Sequence, residues 1–531
     1  MDFLVISENI SEQIRNFKEF IVEYKIPIIC SLIFSLICFG FMLTNHSLTI
    51  DEETWINSSD PSNIRLWLMQ GRFGVFLIDK VISPTGNYIP FLWDFLSVLI
   101  WNFSGVCFLF CISMFYTKFN KFSSFVFCSY FSSLPLVVGE ILSYSMFNLQ
   151  QSLGMLLMSI SVLFIYTYFK FRHEKYIIIS SILLFVSISI YQAFVVVYIV
   201  MIIAYVLIFG LIHNYNKQIL INIIKAIFAF IFGVLSYYLI NKIITKFIAP
   251  DPGNYLTGYI GWNRGKSNIH VMLTTLHYVE KILFGDSAVY GGKVILVVTC
   301  LFFIYSIFSF INTKKIINKS INCVLAILLL ISPFMLSIVL GTSGITGRTY
   351  IALPLAGAIE LLLVNNQTIK IRIINPIVIM ASVLILFFNS MYMNRLFYDS
   401  YMVYQFDTNV GNEIIHDIGI DGYAYNSVPI VFIGMHDVDR KIISNTSGST
   451  GGSFFSWDDG NNTRIINFLR SEGYGVIMPS TSQIKYAYDN SKNLINWPSR
   501  YSIKELNGCI VVKLSTPSST WMSVNGVKST H

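Results

Sequence analysis

Apolar runs alternate with short polar connectors up to about residue 393, and each run is close to the length needed to cross roughly 30 Å of hydrocarbon. Reading for such runs predicts about eleven spans. They lie near residues 26–45, 89–116, 122–139, 150–169, 176–190, 192–212, 222–245, 293–311, 320–341, 349–365 and 374–393. Only Ile190-Tyr191-Gln192-Ala193 interrupts the stretch from 176 to 212, so a count one lower is left open. The first run follows a charged segment of mixed sign and lacks a small-residue cleavage pattern, which reads as an uncleaved signal-anchor helix. From about residue 394 the pattern changes to Tyr, Asp, Asn, Gly and Ser, so a second domain is predicted over 394–531. Within it, Val428–Ile433, Tyr474–Met478 and Cys509–Leu514 read as buried strands, 409–418 and 463–471 have helical spacing, and Ser447–Ser453 reads as a flexible loop. The expected fold is therefore an α-helical polytopic membrane domain over 1–393 followed by a small α/β domain. No internal repeat is visible.

Composition supports this division. Of 531 residues, 54% are hydrophobic and 12% charged, and the mean hydropathy of +0.63 excludes a soluble globular protein. The net charge of +7 is modest. Its cations lie in alternate connectors: Lys118 and Lys121; Lys170, Arg172 and Lys175; Lys217; Lys314, Lys315 and Lys319; Lys370 and Arg372. By the positive-inside rule these face the cytoplasm, and no nucleic-acid partner is implied. Segment 46–88, the connector holding Glu140, loop 246–292, the stretch Gly341 to Arg348 and the C-terminal domain are then extracytoplasmic. Seven of the eight cysteines fall in apolar runs, so neither a disulfide framework nor a metal cluster is expected.

Chemistry concentrates at the expected outer face. Asp51 and Glu52, with Glu53 behind them, follow the first span, where a partly desolvated carboxylate suits a general base. Equally, acidic residues in a first helical turn complement the helix dipole, with Trp55 and Trp67 as interfacial anchors. Arg72, between Gly71 and Phe73-Gly74, opens an amphipathic segment running to Ile82. Its guanidinium suits a lipid phosphate, or else snorkelling or a salt bridge to Asp51 or Asp79. Arg348 follows a glycine-rich turn and opens a span, where charge normally carries function. Tyr191 and Gln192 at mid-depth offer either cavity contacts or an inter-helix hydrogen bond. Trp262 and Arg264, with Asn254, Tyr255, Tyr259, Asn263, Lys266, His270 and His277, give loop 246–292 the aromatic and polar mixture that holds sugars, or that simply lines an interface. Glu140 and Glu360 read as functional or as inter-helix partners. Asp458-Asp459 is discounted as a metal-nucleotide motif, and no cofactor is expected.

Taken in order, Asp51-Glu52, Gly71-Arg72-Phe73, Ser189-Ile190-Tyr191-Gln192-Ala193, Gly347-Arg348-Thr349 and Asn394-Arg395-Leu396-Phe397-Tyr398 resemble the Gtr-type (GtrII-like) O-antigen glucosyltransferases over nearly the whole chain. The plan is similar to that of GT-C glycosyltransferases, multi-span enzymes with an acidic pair in the first external loop. The resemblance implies transfer of glucose from undecaprenyl-phosphate glucose to lipopolysaccharide O-antigen in the periplasm, by inverting displacement at the bacterial inner membrane, with serotype conversion as the result. On that basis Asp51 or Glu52 is the expected base, and Arg72 and Arg348 the phosphate ligands. Glu53, Tyr191, Gln192, Trp262 and Arg264 are expected sugar contacts. A donor-synthesising glucosyltransferase and a flippase are the implied pathway partners. A polysaccharide or lipid-linked oligosaccharide transporter and an O-antigen polymerase are the competing readings.

Overall fold

The computed structural model describes residues 2–58, 60–82, 88–116, 119–249, 258–262, 264–312, 316–342, 346–366, 374–438 and 450–527. The chain forms two compact units. The first comprises Met1–Leu43 and Ile64–Asn394, the second Thr44–Asn63 and Arg395–His531.

The first unit is helical. It begins with an amphipathic helix, α1 (Asp2–Glu23), that the apolar-run reading overlooks because its apolar positions are spaced rather than continuous. Phe17 and Phe20 of α1 pack on Phe110, and Lys170 pairs with Glu12 at 3.2 Å. There follow α2 (Lys25–Thr44), α3 (Glu52–Asn57), which belongs to the second unit, α4 (Asp60–Met69) and α5 (Phe73–Ile82). Next come α6 (Pro90–Ser113), α7 (Lys121–Phe131), a π-helical turn at Pro135–Gly139 leading into α8 (Glu140–Leu142), and α9 (Asn148–Phe171). The series continues with α10 (Lys175–Ile190), α11 (Phe194–Ile212), α12 (Lys217–Phe247), α13 (Asn268–Leu283), α14 (Gly292–Asn312), α15 (Ile316–Ile331), α16 (Met335–Leu340), α17 (Leu353–Asn365) and α18 (Ile374–Ile420).

Among the described residues nine helices are long and apolar enough to cross a membrane. Shorter apolar helices, α10 and α17, occupy the places expected for the spans at 176–190 and 349–365. Three boundaries differ from the sequence reading. The third span, expected to stop at 139, runs through the π-turn to Leu142, so Glu140 is fully buried and not in an outer connector. Residues 268–283 of the expected loop 246–292 are helical, because Val271, Thr275, Val279 and Ile282 recur on one buried face. The last span does not stop near 393. It continues as one helix to Ile420, and the unit boundary lies within it.

The second unit has a three-stranded sheet, order β1-β3-β2, with β1 (Ile430–Ile433) parallel and β2 (Ile503–Leu506) antiparallel to β3 (Cys509–Lys513). β1 and four of the five residues of β3 are buried, which explains their continuous apolar sequence. On one face, Val431, Ile433, Cys509 and Val511 pack with Ile484, Ala487 and Trp521, the last three carried by α20 (Thr481–Asn490) and α21 (Ser519–Val524). The expected strand 474–478 is reduced to a single bridge, Pro429 with Ile477. The outer edge of β1 is instead occupied by Asn462, the first residue of α19 (Asn462–Ser471): its amide accepts from the Phe432 N–H at 2.7 Å and donates to the Phe432 carbonyl at 2.9 Å. A side-chain amide thus does the work of a neighbouring strand. Residues 447–449 of the expected loop Ser447–Ser453 lie outside the described residues.

Candidate functional site

Each unit holds one cluster of predicted site residues. In the second unit, Thr44–Asn63 brings the acidic connector against α19: Asn57 Nδ2 donates to the Asn467 carbonyl and to Ser471 Oγ, both at 2.8 Å. Asp51 precedes α3 in the left-handed region at φ 88°, a strained conformation for a residue with a Cβ and one that clusters at functional sites.

The three carboxylates have different surroundings. Asp51 is half-exposed and meets Arg464 Nη2 at 2.9 Å. Glu52 is fully buried, and its Oε2 accepts from the Thr49 N–H at 2.9 Å. Glu53 is also fully buried; its Oε1 accepts from Arg464 Nη1 at 2.8 Å, while its Oε2 has no partner. Arg464 completes a three-way fork by donating from Nε to Asp458 Oδ2 at 3.0 Å. A planar guanidinium with five donors can serve three carboxylates at once. Burial pushes the Glu53 carboxyl above its ordinary value, an effect opposed by Arg464 and increased by Asp51.

In the first unit, α4 ends at Met69, and Gly71, with a φ of 71°, turns the chain into α5. This turn presents Arg72. It is held from outside by Gln192, whose Nε2 donates to the Gln70 carbonyl at 2.8 Å and reaches Tyr237 Oη at 3.0 Å, and by Tyr237, which donates to the Gly71 carbonyl at 3.1 Å. The Arg72 guanidinium carbon then lies 5.6 Å from the Trp67 ring centroid and 5.2 Å from those of Phe147 and Tyr191. Among the described residues no carboxylate pairs with it, and its Nε has no hydrogen-bond partner. Asp79, one of its expected partners, instead accepts from Gln150 at 2.5 Å. A cation cradled by aromatic faces and left without an anion is suited to binding one.

Tyr191 occupies the break separating α10 from α11, in an extended conformation. Arg348 lies against the turn ahead of α9: its guanidinium carbon is 4.8 Å from the Tyr144 ring centroid, and the Phe147 N–H donates to the Tyr144 carbonyl at 2.9 Å. Its backbone N–H donates to Glu140 Oε2 at 3.1 Å, and Nη1 lies 3.6 Å from Glu140 Oε1. Phe147 is fixed just ahead of α9, where Asn148 Nδ2 donates to Asp94 Oδ1 at 2.6 Å and Asn148 Oδ1 accepts from Ser97 at 2.9 Å.

The structure therefore gathers Arg72, Arg348 and Tyr191 in one cluster, with Gln192 as a brace for its turn. It gathers Asp51, Glu52 and Glu53 in the other. Two expected sugar residues stand apart from both sets of contacts. Trp262 Nε1 donates to the Val339 carbonyl at 2.8 Å and packs on Gly341, where an added Cβ would come within 2.4 Å of its ring. Arg264 is exposed in the connector preceding α13. Arg464, Tyr144 and Phe147 were not anticipated. The Asp458-Asp459 pair was the available hint, since Asp458 Oδ2 accepts from Arg464 Nε at 3.0 Å.

Among the described residues, nine helices long and apolar enough to cross a membrane, with partly buried arginines at helix ends and a carboxylate cluster in the smaller unit, mark the class as a polytopic membrane protein. The family described as Glucosyl transferase GtrII matches residues 40–365, more than half of the chain, and the protein belongs to that family. It is a glycosyltransferase of the glucosyl-transferring kind. No curated protein matches it.

Proposed function

We propose that this glucosyltransferase uses a polyprenyl-phosphate sugar, undecaprenyl-phosphate glucose, as donor and a sugar of lipopolysaccharide O-antigen as acceptor. The reaction takes place on the periplasmic side of the bacterial inner membrane and changes the serotype of the polysaccharide. The N-terminus is cytoplasmic and the second unit periplasmic. A donor-synthesising glucosyltransferase and a flippase supply the lipid-linked sugar. The observation that carries the reading is Arg72, a cation caged by three aromatic rings and, among the described residues, without a carboxylate partner, with Arg348 nearby on Tyr144. A membrane-bound monophosphate supplies the missing anion and keeps its tail in the bilayer.

Asp51 takes the proton from the acceptor hydroxyl, because it alone of the three connector carboxylates is accessible to a bulky polysaccharide. The hydroxyl oxygen attacks the anomeric carbon from the face opposite the phosphate, the bond from anomeric carbon to phosphate oxygen breaks, and the configuration inverts. Polyprenyl phosphate leaves with the electron pair, and Arg72 and Arg348 offset its developing charge. Glu52 fixes the connector, and Glu53 with Arg464 sets the position of Asp51.

The test is reconstituted protein with radiolabelled undecaprenyl-phosphate glucose and O-antigen polysaccharide, beside Asp51→Asn. Label passing to polysaccharide with the wild type alone is expected. Equal transfer by the variant would remove Asp51 from the mechanism. Transfer only from diphosphate-linked oligosaccharide would make the protein a polymerase.

A further inference from the structure

Gln151 lies in the first turns of α9 and is fully buried, yet neither its Oε1 nor its Nε2 has a partner. A primary amide offers two N–H donors and a carbonyl acceptor, and proteins rarely leave both ends unpaired away from water. Its neighbourhood shows what it faces. The Gln151 backbone N–H bonds to the Phe147 carbonyl, placing it one helical turn from Phe147, and Gly154 follows on the same face of α9. Phe147 stacks on Trp67 at 4.9 Å and meets both Arg72 and Tyr191. Gly154 abuts the helix break from the other end, since a Cβ there would come within 2.5 Å of the Phe194 ring. The unsatisfied amide therefore lies on the strip of α9 turned to the break at Tyr191, one turn from the arginine cage. Gln70 Oε1, on the residue before the Gly71 turn, is also buried without a partner.

We propose that Gln151 is a specificity-determining residue for the donor, hydrogen-bonding through both ends of its amide to ring hydroxyls of a neutral hexose whose phosphate is held at Arg72. This rests on the donor reading given above. A lipid-linked sugar-phosphate carries its hexose directly on the phosphate oxygen, so a polar group one helical turn from Phe147, a wall of the Arg72 cage, is at the right remove for a hydroxyl. Such a site rejects a sugar lacking that hydroxyl, because the buried amide is then left unpaired.

The test uses the full-length protein in liposomes, with undecaprenyl-phosphate glucose and its 2-, 3-, 4- and 6-deoxy analogues as donors. The variants are Gln151→Leu and the closer isostere Gln151→Met, with folding checked by thermal melting. Wild type is expected to disfavour at least one deoxy donor in kcat/KM by about tenfold or more. The variants should lose that preference, falling for glucose while holding for the deoxy donor. Preference retained in a folded variant, or an equal fall for every donor, overturns the proposal and returns Gln151 to a packing role around buried water. Absence of transfer by wild type from any of these donors overturns the donor reading itself and this inference with it.

Discussion

Arg348 approaches the buried Glu140 twice, through its backbone N–H at 3.1 Å and through its guanidinium at 3.6 Å. The first is a hydrogen bond; the second is an ion pair too long to be one. Glu140 thus anchors the backbone that carries Arg348 while leaving guanidinium N–H groups for another anion. Arg348→Ala is expected to lower kcat/KM for the lipid-linked donor by roughly 10²–10³, the range for loss of one charge-stabilising donor. It also strands a buried carboxylate, which costs on the order of 3–5 kcal/mol. Adding Glu140→Gln should restore the melting temperature without restoring donor use. Recovery of both would show that Arg348 acts only through stability.

The Gly71 turn is expected to be intolerant of any side chain. Its φ of 71° strains an L-residue, and an added Cβ would come within 2.6 Å of Tyr237 Oη and 2.9 Å of Asn241 Oδ1. Gly71→Ala should destabilise the protein by about 1–3 kcal/mol and raise KM for the donor while leaving KM for the acceptor unchanged, because the displaced element is the mount of Arg72. Steady-state kinetics with each substrate varied separately decides the point.

Removing Arg464 leaves the buried Glu53 without its main counter-charge and one of its hydrogen bonds. Arg464→Met should destabilise the second unit by about 3–5 kcal/mol, read as a lower midpoint in chemical denaturation. Arg464→Lys should recover only a fraction, since an ammonium is a point charge and cannot span three carboxylates.

The carboxyl of Glu53 also gives a pH signature. Burial raises its value above the ordinary 4.5, so the folded state holds the proton more tightly than the unfolded one. Its contribution to stability is complete below about 4.5 and is lost as pH rises through the raised folded value. Stability of wild type relative to Glu53→Gln, which is permanently neutral, should therefore decline as pH rises from about 4 to 7. Chemical denaturation of both proteins across that range measures the difference, and an increase with pH would contradict the burial argument.

Legibility followed the range of the interactions. Spans were readable because hydropathy is local, and Phe73–Ile82 was delimited correctly by its own amphipathic pattern. The helix break at Tyr191-Gln192 was visible as a polar interruption, and Arg72 as a cation bracketed by glycines. What could not be read is partnership. Nothing local to Arg464 distinguishes it from a solvated helix arginine, and nothing near Phe147 marks it as a wall of the Arg72 cage. Glu140 was misplaced because a π-turn after Pro135 lengthens its span. The strand expected at 474–478 was overridden by tertiary context, since Asn462 already occupies the edge of β1.

The Arg464 fork has a consequence in time. Glu53 and its main counter-charge are separated by 411 residues, which at about 5–20 residues per second take on the order of 20–80 s to synthesise. Throughout that interval most of the membrane helices are being made while the connector's carboxylates have no guanidinium to close over them. They remain hydrated, and the connector can pack only after α19 has emerged. The acidic centre is consequently among the last parts of the molecule to form, and a chain cut short before residue 464 exposes it as an open, charged loop that quality-control proteases can recognise.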